Sequence, residues 1–118
     1  MGTCREEMAL PLGELHLCAF RKAKQLEESH RPCCFYIGIT EGVKFRFTNS
    51  HYGYCLDGYT DMHALACVTA FDAGILEKRL ISFFYKWQGN QNEKHGGEGV
   101  SPANPWPYFV YFVVKRVY

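Results

Sequence analysis

The stretch from Cys34 to Thr40 constrains the fold more than any other, because its residues alternate strictly in character. In an extended chain Phe35, Ile37 and Ile39 fall on one side and Tyr36, Gly38 and Thr40 on the other. Such a strand needs an apolar layer against its first side and leaves a phenol, a bare glycine and a hydroxyl as a polar platform on its second. The layer must come from elsewhere in the chain. Leu15 to Phe20 also alternates and predicts a strand, followed by a charged stretch from Arg21 to Pro32 in which Lys22 to Ser29 has room for a helical turn. An antiparallel pair of residues 15–20 with residues 34–40 is the simplest joining of the two. Met62 to Phe71 is apolar enough for a central strand, Tyr52 to Tyr59 reads as a loop, and Tyr108 to Tyr118 alternates as a closing strand.

The clearest helical pattern starts at Asp72, a good N-cap residue, and runs to about Trp87 before Gly89. Leu76, Leu80, Phe83 and Trp87 share one stripe, which predicts the face that packs on the sheet. At about 100° per residue, Glu77 lies at the edge of that stripe and Lys78 on the solvent side. Residues 89–99 and 102–107 read as loops, rich in glycine and proline respectively.

A chain of 118 residues with 47% hydrophobic content fits one folded domain, expected over residues 12–118 after a short mobile start at 1–11. The net charge of +1 provides no whole-chain attraction for nucleic acid, so any such binding must rest on local patches. No apolar run reaches the ~18 residues that span a bilayer, and the N-terminal stretch has no signal-peptide pattern. The expectation is an intracellular protein with no membrane partner. The cysteines at 4, 18, 33, 34, 55 and 67 show no zinc-finger spacing and read as mostly reduced and buried, with Cys33-Cys34 the pair most open to oxidation.

Tyr36-Ile37-Gly38, then Arg46, then Leu76-Glu77 followed by Leu80-Ile81, then Asn92 with Gly96-Gly97, form an ordered series. In that order they resemble the GIY-YIG nuclease family, over residues 35 to about 114. The resemblance implies an α/β fold, a small sandwich with a central, mainly antiparallel three-stranded sheet flanked by helices plus a C-terminal strand. It also makes residues 43–47, which alternate like a strand, the first helix of the domain, presenting Arg46. The implied activity is endonucleolytic hydrolysis of DNA phosphodiester bonds with a single Mg²⁺ or Mn²⁺ ion. Glu77 would hold that ion, since one carboxylate suits a hard cation that keeps most of its water. Arg46 would grip the scissile phosphate with its planar fork, and Tyr36 would orient or deprotonate the attacking water. Asn92 would support the site, while Gly38, Thr40, Lys44 and His51 would line the substrate.

The upstream end departs from the pattern. Where the family carries a glycine-isoleucine-tyrosine strand, this chain reads Gly-Glu-Leu-His-Leu-Cys-Ala-Phe at 13–20, and no tyrosine precedes Tyr36. His16 is a candidate substitute base, with an ordinary pKa near 6.5 against about 10 for a phenol. Loss of a positioned base costs ~10²- to 10⁴-fold in rate, so slow or undetectable cleavage is expected. Two alternatives stand beside the nuclease. One is the same fold holding nucleic acid or protein without catalysis, through Arg46, Lys44 and exposed aromatics. The other is an interaction domain in which the 108–118 strand pairs with another chain at an open edge.

Overall fold

The computed structural model describes residues 12–41, 48, 58–92 and 107–117. Arg46, Lys44 and His51, with the helix expected at 43–47, the glycines at 96–99 and most of the 52–59 loop, lie outside the described residues. The order of elements is α1 (Leu12–His30), β1 (Cys33–Thr40), β2 (Asp61–Val68), α2 (Ala70–Phe84) and β3 (Tyr108–Arg116).

The first correction is α1, which replaces the strand expected at 15–20. Leu15, Ala19, Ala23 and Glu27 are buried at a spacing of four, while Leu17 and Cys18 face solvent. Six alternating residues are too few to tell a period of 2 from one of 3.6; the 19-residue pattern decides for the helix. Two small alanines on its inner face let the helix lie close to the sheet. Glu14 in the first turn and His30 in the last complement the helix dipole, and Pro32 cannot continue the helix. Buried Glu27 is neutralised by Arg31, whose Nε donates to Oε2 at 3.2 Å and whose Nη2 donates to Oε1. His30 reaches Asp61 at the start of β2 (Nε2 to Oδ2 3.3 Å), and Lys22 Nζ donates to the Leu65 carbonyl at 3.3 Å.

The sheet is three-stranded and antiparallel in the order β1-β3-β2. Its centre is the C-terminal strand, so two further expectations fall: residues 62–71 are not central, and residues 108–118 are not an open edge awaiting another chain. β3 has both flanks occupied. The physical signal was present in the sequence, since Tyr108 to Val114 is an unbroken apolar run and Val110, Tyr111, Phe112, Val113 and Val114 are all 2% exposed or less. A strand covered on both faces reads as continuous and not as alternating. β2 begins exposed and becomes buried, with an irregularity between Ala64 and Ala66, and Phe71 belongs to the next helix.

Thr69, not Asp72, caps α2: its hydroxyl accepts from the Asp72 backbone N–H at 3.4 Å, and the Asp72 carboxylate sits in the first turn where the dipole favours it. Ala73, Leu76, Glu77, Leu80, Ile81 and Phe84 face inward, while Phe83 is 53% exposed. At 100° per residue the buried face is centred about 60° round from the expected stripe, toward Glu77. Trp87 lies just beyond the helix and packs on Phe84 edge to face, 4.6 Å between centroids.

Both helices cover one face of the sheet, where Phe35, Ile37, Val110, Phe112, Val114 and Leu65 meet Leu15, Leu76, Leu80 and Phe84. The other face carries a smaller cluster of Tyr59, Tyr111 and Val113 with Tyr36 and Met62 against it. No helix among the described residues is long and apolar enough to cross a membrane. Cys18, Cys33 and Cys34 are free thiols, whereas Cys67 is disulfide-bonded, a departure from the reduced reading that spacing alone had no means to reveal.

Candidate active site on the tyrosine face of the sheet

Residues opposite one another on antiparallel strands share a face, so the register Tyr36↔Val113, Gly38↔Tyr111 and Thr40↔Phe109 sets the polar platform of β1 beside alternate residues of β3. Gly38 and Tyr111 interlock. A Cβ built at Gly38 would lie 2.3 Å from Tyr111 Oη and 2.5 Å from its Cζ, so the tyrosine ring occupies the space that any side chain at 38 would need. Tyr36 is half-buried and Tyr111 is 2% exposed. Tyr59 is also buried here, with Lys115 Nζ 4.7 Å from its ring centroid. Three phenols and a cation therefore share this face. Thr40 continues the row, half-buried, and Tyr108 at the same end of the sheet is held above the usual phenol pKa by burial and by its hydrogen bond to Glu41.

Asn92 is brought onto β1 from 55 residues away. Its Oδ1 accepts from the Ile37 N–H at 3.0 Å and its Nδ2 donates to the Ile37 carbonyl at 2.8 Å, so the amide imitates one residue of a neighbouring strand. The backbone before it does the same for Phe35, whose N–H donates to the Gly89 carbonyl and whose carbonyl accepts from the Gln91 N–H, each at 2.8 Å. Gly89 has φ +95, and a Cβ there would stand 2.1 Å from the Cys33 carbonyl oxygen, so only glycine permits this approach. Asn90 links the segment to α2: Nδ2 donates to the Phe84 carbonyl at 2.7 Å, and Oδ1 accepts from the Asn92 N–H at 2.8 Å. The chain from helix end to Asn90 to Asn92 to Ile37 fixes the outer edge of β1 beside Tyr36.

The remaining candidates are placed differently. Glu77 is 2% exposed on α2, a helix that packs against the opposite face from Tyr36, and the residue is not without a partner there. It is inside the packed face, where the sequence pattern put it at the edge. His16 is likewise on the helical side: it sits between α1 and α2 with Nδ1 3.1 Å from Arg79 Nη1. Burial first, then Arg79, lower its pKa, while Asp72 acts weakly the other way. The structure does not bring His16 and Tyr36 to one face of the sheet.

Among the described residues no group of three or more His, Cys, Asp or Glu is assembled for a metal ion. Glu77 is a single carboxylate and 2% exposed, so the described residues around it offer neither an all-protein cage nor open space for an ion that keeps most of its water. Sequence reasoning missed Tyr111, Tyr59 and Asn90. The run Asn90-Gln91-Asn92 was a usable cue for a polar edge. Tyr111 had none, because which strand lies beside Gly38 is a matter of topology.

No protein-family model matches the chain, and no curated protein and no solved structure matches it.

Proposed function

We propose that this chain is a GIY-YIG-like domain that binds DNA and hydrolyses its phosphodiester bonds with one Mg²⁺ or Mn²⁺ ion. The observation that carries the reading is Asn92 seated on Ile37: two segments far apart in sequence meet, with the asparagine amide on the strand that bears Tyr36 and Gly38. The Tyr111 phenol supports it further. It lies over Gly38 from the neighbouring strand and stands in for the phenol that the sequence lacks upstream of Tyr36. Glu77 would hold the ion, which when bound would acidify water and neutralise charge on the phosphate. Arg46, in this reading, grips the phosphate. Tyr36 and Tyr111 orient the attacking water and hold its proton by hydrogen bonding.

A second reading, the same fold binding DNA without cutting it, is favoured by one observation. Tyr36 lies on the sheet face opposite the one covered by α2, the helix that carries Glu77. A nicking assay on supercoiled plasmid with Mn²⁺ separates the two. Cleavage abolished in Glu77→Gln and reduced at least tenfold in both Tyr36→Phe and Tyr111→Phe supports the nuclease. DNA retention with no nicking by the parent chain selects the binder, and undiminished nicking by Glu77→Gln sinks the metal assignment. Arg46→Lys keeps the charge and loses the bidentate fork, so most of the rate loss of Arg46→Ala remains.

A further inference from the structure

The helical side of the molecule contains a groove of ≈ 810 Å³ between α1 and α2, lined by His16, Phe20, Ile75, Lys78, Arg79 and Phe83 among others. We propose that this groove is a binding site for small organic anions, with the anionic group on Arg79 and Lys78 and an apolar body against Phe20 and Phe83.

Arg79 is held by the His16 ring. A guanidinium only donates, so the 3.1 Å contact makes His16 Nδ1 the acceptor and leaves the ring neutral with its proton on Nε2. Burial and Arg79 both act to keep that ring neutral. Arg79 is thus oriented by an uncharged partner, and its positive charge stays available. Arg31 shows the contrast, since its fork is turned onto the buried carboxylate of Glu27 and its charge is spent within the fold. Lys78 is exposed beside Arg79 and adds a second positive charge.

A second observation points to a ligand. His16 is 6% exposed, and its Nε2 has no hydrogen-bond partner among the described residues. A buried donor left without an acceptor is costly, and native structures seldom carry one without a reason. Nε2 is enclosed in the free chain, so an acceptor oxygen of a bound anion satisfies that proton once the His16 ring, which lines the groove, turns toward it. The acidic group that acts on His16 is Asp72, in the first turn of α2, and the two cations of the groove outnumber it.

The walls select the rest of the ligand. Phe83 is 53% exposed and meets Phe20 edge to face at 4.9 Å. Ile75 completes an apolar surface beside the cations. The volume falls in the range of ~300–1,000 Å³ typical of small-molecule sites. This site is on the opposite face of the sheet from Tyr36, and the inference stands whether or not the domain cleaves DNA.

The test uses the full chain and two probes that share an aromatic body, 8-anilinonaphthalene-1-sulfonate and the uncharged N-phenyl-1-naphthylamine, followed by fluorescence titration. The sulfonate is expected to bind saturably at one site. Arg79→Gln, a change at an exposed position, should weaken the sulfonate about tenfold or more, the scale of one charge-assisted contact, and leave the neutral probe unchanged. Phe83→Ala should weaken both probes. Sulfonate affinity unchanged in Arg79→Gln, equal losses for the two probes in that variant, or no saturable binding by the parent would each overturn the proposal.

Discussion

The two faces of the sheet use the same strands in opposite ways. On the helical face Phe35 and Ile37 are fully buried against Phe112, Val114 and Phe84, and Phe35 stacks on Phe112 at 5.0 Å between centroids. One residue along, the same backbone sends Tyr36, Gly38 and Thr40 to a face where the neighbours are Tyr111, Tyr59 and Met62. The first face is closed by helices and carries the packing energy. The second gathers hydroxyl groups around a glycine. A strand with period two therefore serves two separate layers, since a substitution at an odd position and one at an even position act on different faces.

That comparison breaks first at Phe35. Phe35→Ala should cost about 3–5 kcal/mol, as large-to-small changes in a packed core do, whereas Tyr36→Phe should change stability by less than about 1 kcal/mol and register in the nicking assay. Equal losses from chemical denaturation of the two variants would show that the faces are not divided in this way. Gly38→Ala comes next. Its new methyl must displace the Tyr111 ring, an overpacking cost of about 1–3 kcal/mol, and a double variant with Tyr111→Val should be less destabilised than the sum of the two single changes. Additive losses would mean that the two residues are not interlocked.

Asn92→Ala removes two hydrogen bonds to Ile37 at a partly buried edge, for an expected loss of about 1–2 kcal/mol and faster amide exchange at Ile37. Unchanged exchange there would detach the 89–92 segment from β1. The smallest effect is on the helical side. The pKa of His16 is lowered in the fold from 6.5, so between those two values the unfolded chain binds more protons than the native one. Stability is then fully present above about pH 6.5 and falls as the pH drops through the window. Melting temperatures measured from pH 7.5 to 5 should decline in the parent and decline less in His16→Gln.

The sequence and the structure agree best where the evidence is local. The alternation at 34–40 fixed a strand and both of its faces, and the helix carrying Glu77 was legible from its apolar spacing. The rotation of that helix was not, because Phe83 and Phe84 are equally apolar and only contact with Phe35 and Leu80 chose the second. The strand expected at 15–20 failed for a related reason. Its alternation was short, and the place beside β1 is filled by β3.

What the chain determines by itself is periodicity, caps and the backbone freedom of its glycines, since these depend on neighbours within a few residues. Tertiary structure alone decided that β3 lies between β1 and β2, that Tyr111 fills the space above Gly38, that Asn92 completes the edge of β1, and that His16 holds Arg79. Each of these joins residues 55 to 73 positions apart, or orders strands whose pairing no local pattern encodes. The physical reason is that a hydrogen bond or a packed ring is specified by geometry in space, and the register of three strands fixes that geometry only once all of them are in place.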